Sequence, residues 1–432
     1  TNGTITNFDG NFSLKVPANA TVVISYIGMK TQEIAIKGKS KIDVTLSDDA
    51  KALDEVVVIG YGTAKRKDIT GSVASVNSET LAAIPVASAT EALQGKMAGV
   101  QITTTEGSPD AQMSIRVRGG GSITQSNEPL FIVDGFPVES ISDIPPTDIE
   151  SIDVLKDASS TAIYGARGAN GVIIVTTKSG KEGKVSVSYN AYYAWKKVAK
   201  TLDVLSASDY TKWQYELAQL TNKNDDYIKY FGNYQDLDMY DNVATNDWQD
   251  LTFGRTGHSF NHNLSINGGS DKFKYSFSYS HIDDKAIMQM SDYARDNLNL
   301  KLNHKPLKNV SLDFSARFSK TKINGGGSND ANSSLNTDKR LKYSLLYTPY
   351  PVPGISDALN ADEEDANSLL INPLISLRDN DTRKERINYN LAGSITWEII
   401  KDLKLKAEVG YDDYRNNADR YYGVTTYYVR NN

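Results

Sequence analysis

The chain has 432 residues, with 47 Lys and Arg against 53 Asp and Glu, a net charge of −6, four His and no Cys. Disulfide frameworks, cysteine zinc sites and thiolate nucleophiles are excluded, and the charge balance argues against a basic nucleic-acid binder. No apolar run approaches the ~18 residues of a membrane helix, which leaves open a barrel, whose strands need only alternate apolar residues.

Residues 1–50 read as short strands, and Thr1 to Gly10 does not resemble a charged-then-apolar leader. Gly3–Thr6 precedes an Asp9-Gly10 turn, and Phe12, Leu14 and Val16 then alternate with polar neighbours. Thr21–Ile27, Gln32–Ile36 and Lys41–Leu46 supply three more strands, at the spacing of a small β-sandwich. Too few are present for a complete sandwich, so this domain is expected to lack its beginning.

Residues 51–60 change character. A polar stretch runs into Asp54, Glu55, Val56, Val57, Val58, Ile59 and Gly60. Three valines behind two acids suit a buried strand. They also suit a peptide that another protein's sheet edge captures by β-augmentation.

Residues 61–180 read as a mixed α/β unit. Ser88-Ala89-Thr90-Glu91 is a capping box that predicts a helix through Leu93 to Met97, with Gly99 as its stop. Thr147-Asp148-Ile149-Glu150 is a second such box. Ile102–Thr104, Ser114–Val117, Leu130–Val133, Ile152–Leu155 and Gly171–Thr177 read as strands, and Ala158–Tyr164 as a short helix beginning at a possible Asp157 cap.

Residues 184–432 carry sustained alternation. Val185 to Trp195, Phe260 to Ile266, Phe273 to Tyr279, Leu298 to Leu302, Val310 to Phe318, Ile387 to Trp397 and Leu403 to Tyr411 each have one apolar and one polar face. Short turns near 270, 307 and 401 alternate with longer connections near 199–257, 283–292 and 324–386. A strand of ~12 residues tilted about 40° covers roughly 30 Å, the thickness of the hydrocarbon layer. A soluble antiparallel sheet with one wet face is the rival, but no helix is available to cover the apolar side. The fold class is therefore mostly β: a small β-sandwich, an α/β unit and part of a large antiparallel transmembrane β-barrel. Single-chain barrels close with even strand numbers, so these seven strands, with Arg415–Asn432 read as an external loop, predict a chain cut at its C-terminus.

Enzyme chemistry finds no constellation. Gly119-Gly120-Gly121 lacks the Lys-Ser/Thr of a phosphate loop, and Gly165-Ala166-Arg167-Gly168 is no dinucleotide motif. His258 and His262 lie ~13 Å apart on a strand, too far for one metal. Asp283-Asp284 and Asp412-Asp413 read as wet strand ends, and calcium at Asp362-Glu363-Glu364-Asp365 has little support. Tyr421-Tyr422 and Tyr427-Tyr428 fit an aromatic girdle better than a sugar-stacking surface. No catalytic residue, cofactor or metal is expected.

The segment DEVVVIGYGT from Asp54 to Thr63 resembles the TonB box and plug entry of the SusC/RagA family of TonB-linked outer-membrane transporters. LFIVDGFPV from Leu130, and DIESIDVLKDASSTAIYGARGANGVIIVTTK ending at Lys178, resemble that family's plug signature. Residues 1–50 resemble its carboxypeptidase regulatory-like domain. The resemblance implies that Asp54–Gly60 binds the periplasmic protein TonB, that 61–180 is a plug, and that 184–432 holds the first strands of a barrel of about 22. It implies a SusD-like surface lipoprotein as partner, outer-membrane lipid around the barrel, and import of oligosaccharide, with peptide as the second class. The plug and N-terminal domain would face the periplasm. Within the plug, Gly119, Gly135, Gly165, Gly168 and Gly171 permit tight turns beside Tyr164. Arg116, Arg118 and Arg167 are expected to pair with Asp134, Asp153 and Asp157 or with wall charges. The alternative is a structural or adhesive β-rich envelope protein without energy coupling.

Overall fold

A computed structural model describes residues 3–4, 6–7, 10–25, 31–46, 56–59, 62–65, 73–84, 86–104, 113–119, 126–325, 340–352 and 372–423. The chain divides into two compact units, Thr1–Gly71 and Ser72–Asn432.

The first unit contains two antiparallel hairpins among its described residues: β1 (Thr21–Ile24) with β2 (Gln32–Ala35), and β3 (Val56–Ile59) with β4 (Gly62–Lys65). Phe12–Val16 and Lys41–Leu46, read as strands from alternation, are not strands. Alternation defines a face, but a strand also needs a partner for its N–H and C=O groups.

The second unit begins with an α/β layer. Strands β5 (Val73–Asn77), β8 (Leu130–Val133), β9 (Phe136–Val138), β10 (Ile149–Leu155) and β11 (Val172–Thr177) form one sheet in the order β5-β10-β11-β8-β9. β6 (Val100–Thr104) and β7 (Met113–Val117) form a separate hairpin. Helices α1 (Ser78–Ala82) and α2 (Ala89–Ala92) pack with these strands over a core that includes Leu81, Leu93, Ile115, Ile149, Ile152 and Ile173. Each fully buried side chain of this size contributes about 1.5–3 kcal/mol.

Three local expectations change here. The Ser88 cap forms, with Ser88 Oγ accepting from Glu91 N at 3.2 Å, but α2 ends at Ala92 and continues to Gly99 as turns. The Thr147–Glu150 box opens no helix: Pro146–Asp148 is a single 3-10 turn, and Ile149 enters β10. Ile149, Ile152, Val154 and Leu155 are all fully buried there, so tertiary packing overrides the local capping signal. Helix α3 (Ala158–Thr161) is followed by a 3-10 segment, Ala162–Gly168, broken where Gly165 takes a φ of 58°.

Seven long strands follow: β12 (Gly183–Lys196), β13 (Gly257–Gly269), β14 (Phe273–Lys285), β15 (Asp292–Leu307), β16 (Val310–Asn324), β17 (Asn380–Ile400) and β18 (Leu403–Tyr422). They form one sheet in strict sequence order, every neighbour antiparallel. The outward face is apolar, with Val187, Tyr193, Trp195, Leu405 and Val409 all exposed. The β14–β15 connection has six residues, shorter than expected. β18 runs to Tyr422, so Arg415 and Tyr421 belong to a strand and Asp412-Asp413 lie at mid-strand. Past Tyr411 the apolar alternation ends, and the strand is extended by its backbone pairing with β17, which runs on to Tyr422.

The long β12–β13 connection holds α4 (Ala207–Thr221), α5 (Asn224–Phe231) and α6 (Trp248–Phe253); α7 (Arg340–Leu346) and α8 (Pro373–Asp379) lie between β16 and β17. Tyr210, Tyr227, Phe231 and Tyr350 form an aromatic core at the strand ends opposite the tight turns. Trp248 Nε1 donates to Thr348 O at 2.8 Å and ties the two connections together. Burial pushes the Tyr210 phenol up to about 12.

Candidate functional site

The polar face of the long sheet does not meet bulk water everywhere: the α/β unit docks on it. Alternation puts Arg295, Asn297, Asn299 and Lys301 of β15 on that one face. Three of the four grip the unit. Arg295 Nη1 donates to Ser142 O at 2.8 Å, and its Nη2 donates to Ala87 O. Asn297 Nδ2 donates to Asp143 O at 2.5 Å. Lys301 Nζ lies 2.9 Å from Asp134 Oδ1 and 3.2 Å from Thr177 O. From β13, Asn263 Nδ2 reaches Asp148 Oδ1 at 3.4 Å. Two contacts are backbone-close. Gly180 lies against the Tyr275 backbone, and Gly410 of β18 lies under the Phe136 ring, with no room for a Cβ at either position.

Asp134 is the centre of this interface. It occupies the turn between β8 and β9 with a φ of 50°. Its carboxylate also accepts from Thr177 N at 2.9 Å and Thr177 Oγ1 at 2.6 Å. The side chain is 8% exposed, and that of Lys301 15%. Burial by itself would raise this carboxyl, but the Lys301 and Arg317 charges and the Thr177 hydrogen bond hold it below the usual range. Asp148 goes the other way: burial raises it, and the bonds from Ser278 and Asn263 offset that only in part.

The remaining sequence-predicted residues stay within the α/β unit. Arg118 pairs with Asp157 at 2.6 Å. Asp157 does occupy the N-cap position of α3, but its side chain makes no cap hydrogen bond, which corrects the expected cap role. Asp153 accepts from Ser75 and, at 3.3 Å, from Ser151. Arg116 and Arg167 are exposed, on β7 and in the 3-10 segment beside Tyr164, Gly165 and Gly168. Gly119 follows Arg118 with a φ of 99°, and Gly135 completes the Asp134 turn. Gly171 has a φ of 92°, and an added Cβ would sit 2.9 Å from Val117 Cβ, so no other residue fits.

Of the segment Asp54–Gly60, Val56–Ile59 form β3, while Asp54, Glu55 and Gly60 lie outside the described residues, as do Gly120, Gly121, Asp362–Asp365 and Tyr427-Tyr428. Among the described residues β3 pairs only with β4, which leaves its other edge open. The histidines sit on strands: His262 bonds Tyr189, and His258 Nδ1 lies 2.8 Å from the Tyr193 hydroxyl. No group of three or more metal-ligating side chains occurs among the described residues.

The wall residues Arg295, Asn297, Lys301 and Asn263 were not singled out from the sequence. Their signal was visible as Arg, Asn and Lys at one parity of strands whose other parity is apolar. Which of them meets the α/β unit is a property of docking.

Two family models match the chain: a TonB-dependent receptor plug domain at residues 65–172 and a CarboxypepD_reg-like domain at 1–58. The TonB-dependent receptor SusC of Bacteroides thetaiotaomicron is 41% identical over 68% of this chain and 29% of its own length. The TonB-dependent receptor P3 of Formosa agariphila is 34% identical over 98% of this chain and 40% of its own. Among solved structures, the RagAB peptide importer in its open-open state superposes with a TM-score of 0.65 and 28% identity, over 85% of this chain and 43% of that one. The chain thus spans well under half the length of these relatives. They are receptors and transporters, not enzymes.

Proposed function

Because the chain belongs to the SusC/RagA family of TonB-linked outer-membrane transporters, we propose that it serves the energy-coupled import of a nutrient across the outer membrane. The observation that carries this reading is the way the α/β plug is held. It rests on the polar face of the sheet through side-chain hydrogen bonds and the Lys301–Asp134 ion pair, with its own apolar core kept separate. Polar contacts of this kind can be exchanged for water, so the plug can leave the wall without exposing its core.

In this reading residues 1–50 are a carboxypeptidase regulatory-like domain, 51–60 a linker and TonB box, 61–180 the plug, and 184–432 the first seven barrel strands. TonB captures Asp54–Gly60 by adding a strand to the open edge of β3. Force then passes along the chain into the plug. The plug and N-terminal domain face the periplasm, a SusD-like lipoprotein covers the outer side, and the cargo is an oligosaccharide. Peptide is the second class, since the RagAB neighbour is described as a peptide importer.

The test is growth of cells carrying the full-length receptor on a panel of glycans and peptides as sole carbon source. Deleting residues 54–60 is expected to abolish growth on the cargo while the receptor stays in the outer membrane. Growth that persists after that deletion, and in cells lacking TonB, would sink the reading.

A further inference from the structure

One wall cation grips a plug carboxylate, and a second stands on the next strand. Lys301 contacts Asp134 directly. Arg317 stands on the next strand, opposite Asn299, and adds a second positive charge to the same group. Arg317 Nη2 donates to Asn390 Oδ1 at 2.8 Å, and Asn390 Nδ2 in turn donates to Asp412 at 3.1 Å. Arg317 Nη1 is buried and finds no partner among the described residues. It lines a small cavity of about 40 Å³ between the plug and strands β15 to β17, beside the Lys301–Asp134 contact rather than around it. Asn297, Asn299 and Asn388 line the same cavity, each with an unpartnered amide oxygen.

Lys301 and Arg317 are fixed to the wall, whereas Asp134 belongs to the part that moves. When the plug leaves, the two cations lose Asp134 and keep as neighbours two wall carboxylates, Asp412, linked to Arg317 through Asn390, and Asp313, opposite Asn303 on the same face. We infer that Lys301 and Arg317 form an anion site on the transit path, masked at rest by Asp134, and that it receives the carboxylate of a passing solute. The inference rests on the import reading above. Charge-assisted hydrogen bonds in a partly dehydrated lumen favour a carboxylate over a neutral hydroxyl or amide. While the plug is seated, Asp134 is tethered beside the site, and a free solute competes poorly with so high an effective concentration.

The full-length receptor carrying Asp134→Gly tests this. Glycine accepts the positive φ at 134 and leaves a gap the size of a carboxylate. The urea midpoint for plug unfolding should fall in the variant and recover in sodium acetate. Acetamide, or sodium chloride at the same ionic strength, should not restore it, and adding Lys301→Gln with Arg317→Gln should abolish the recovery. Equal recovery in acetamide, or recovery that survives the wall changes, overturns the inference. A second measurement covers a variant that fails to hold its plug. Wild type and Lys301→Gln/Arg317→Gln receptors are placed in planar bilayers, their plugs are displaced with urea, and reversal potentials are read in a potassium chloride gradient. The double variant should shift toward cation preference; an unchanged potential overturns the site. Neither readout needs TonB, so a wild type that fails to import would count against the import reading alone.

Discussion

Asp134 and Asp148 face the same wall with opposite electrostatic outcomes. Asp134 has a cation, an amide and a hydroxyl within reach, so its charged form is favoured and its pKa is lowered. Its contribution to docking is present above the unfolded carboxyl value of about 3.9 and is lost only as pH falls through the lower folded value. Asp148 is buried, the Ser278 hydroxyl and a long bond from the Asn263 amide offset that only in part, and its pKa is raised. Its contribution is present below about 3.9 and is lost as pH rises through the raised value. Lys301→Ala should therefore weaken plug docking at neutral pH by about 3 kcal/mol, the lower end for breaking a buried pair. The urea midpoint of plug unfolding measures this. Asp148→Asn keeps an acceptor for Asn263 and removes the ionisable group. Its midpoint should exceed wild type at pH 7, with the gain fading toward about pH 4.

At the level of elements, local signals worked where nothing contradicted them. The alternation along β12 to β18 sets both faces of the sheet at once, because side chains on a strand alternate sides. The Thr147–Glu150 capping signal failed because four buried aliphatic side chains between Ile149 and Leu155 complete the plug core as a strand. The capture role proposed for β3 rests on its backbone. Val57→Pro removes one N–H and should prevent strand addition. The expected outcome is loss of capture by the periplasmic domain of TonB in a pull-down, with the urea midpoint of the plug unchanged. Capture at wild-type strength would move the TonB site elsewhere.

At the scale of plug and wall, the plug core and the outward apolar face are separate, and the joint between them is mainly polar, with one small apolar contact of Ala87 on Ile282, Tyr293 and Ile323. The plug core lies inside its own sheet and helices, whereas the wall turns its apolar face outward. The receptor should therefore unfold in two steps, the plug at lower urea and the sheet later. All four Trp lie at positions 195, 213, 248 and 397, so their fluorescence reports the second step. The chain has no Cys, so a single Ser140→Cys label reports the first. The Lys301→Ala change should move the first step and leave the second in place. One joint transition seen by both probes would refute a detachable plug.

The sequence by itself determined the class of the protein. Strand alternation, the Asp54–Thr63 segment and the run from Leu130 to Lys178 are local patterns, and local patterns are legible because they follow from period and backbone chemistry. It also marked Asp134 as a charge worth following. Only the tertiary structure decided that Asp134 faces Lys301, 167 positions away, while Arg118 and Asp157 satisfy each other. It also chose β15 as the strand that grips the plug. Those pairings depend on which part of a polar face a separately folded unit comes to rest against, and no spacing along one chain encodes that.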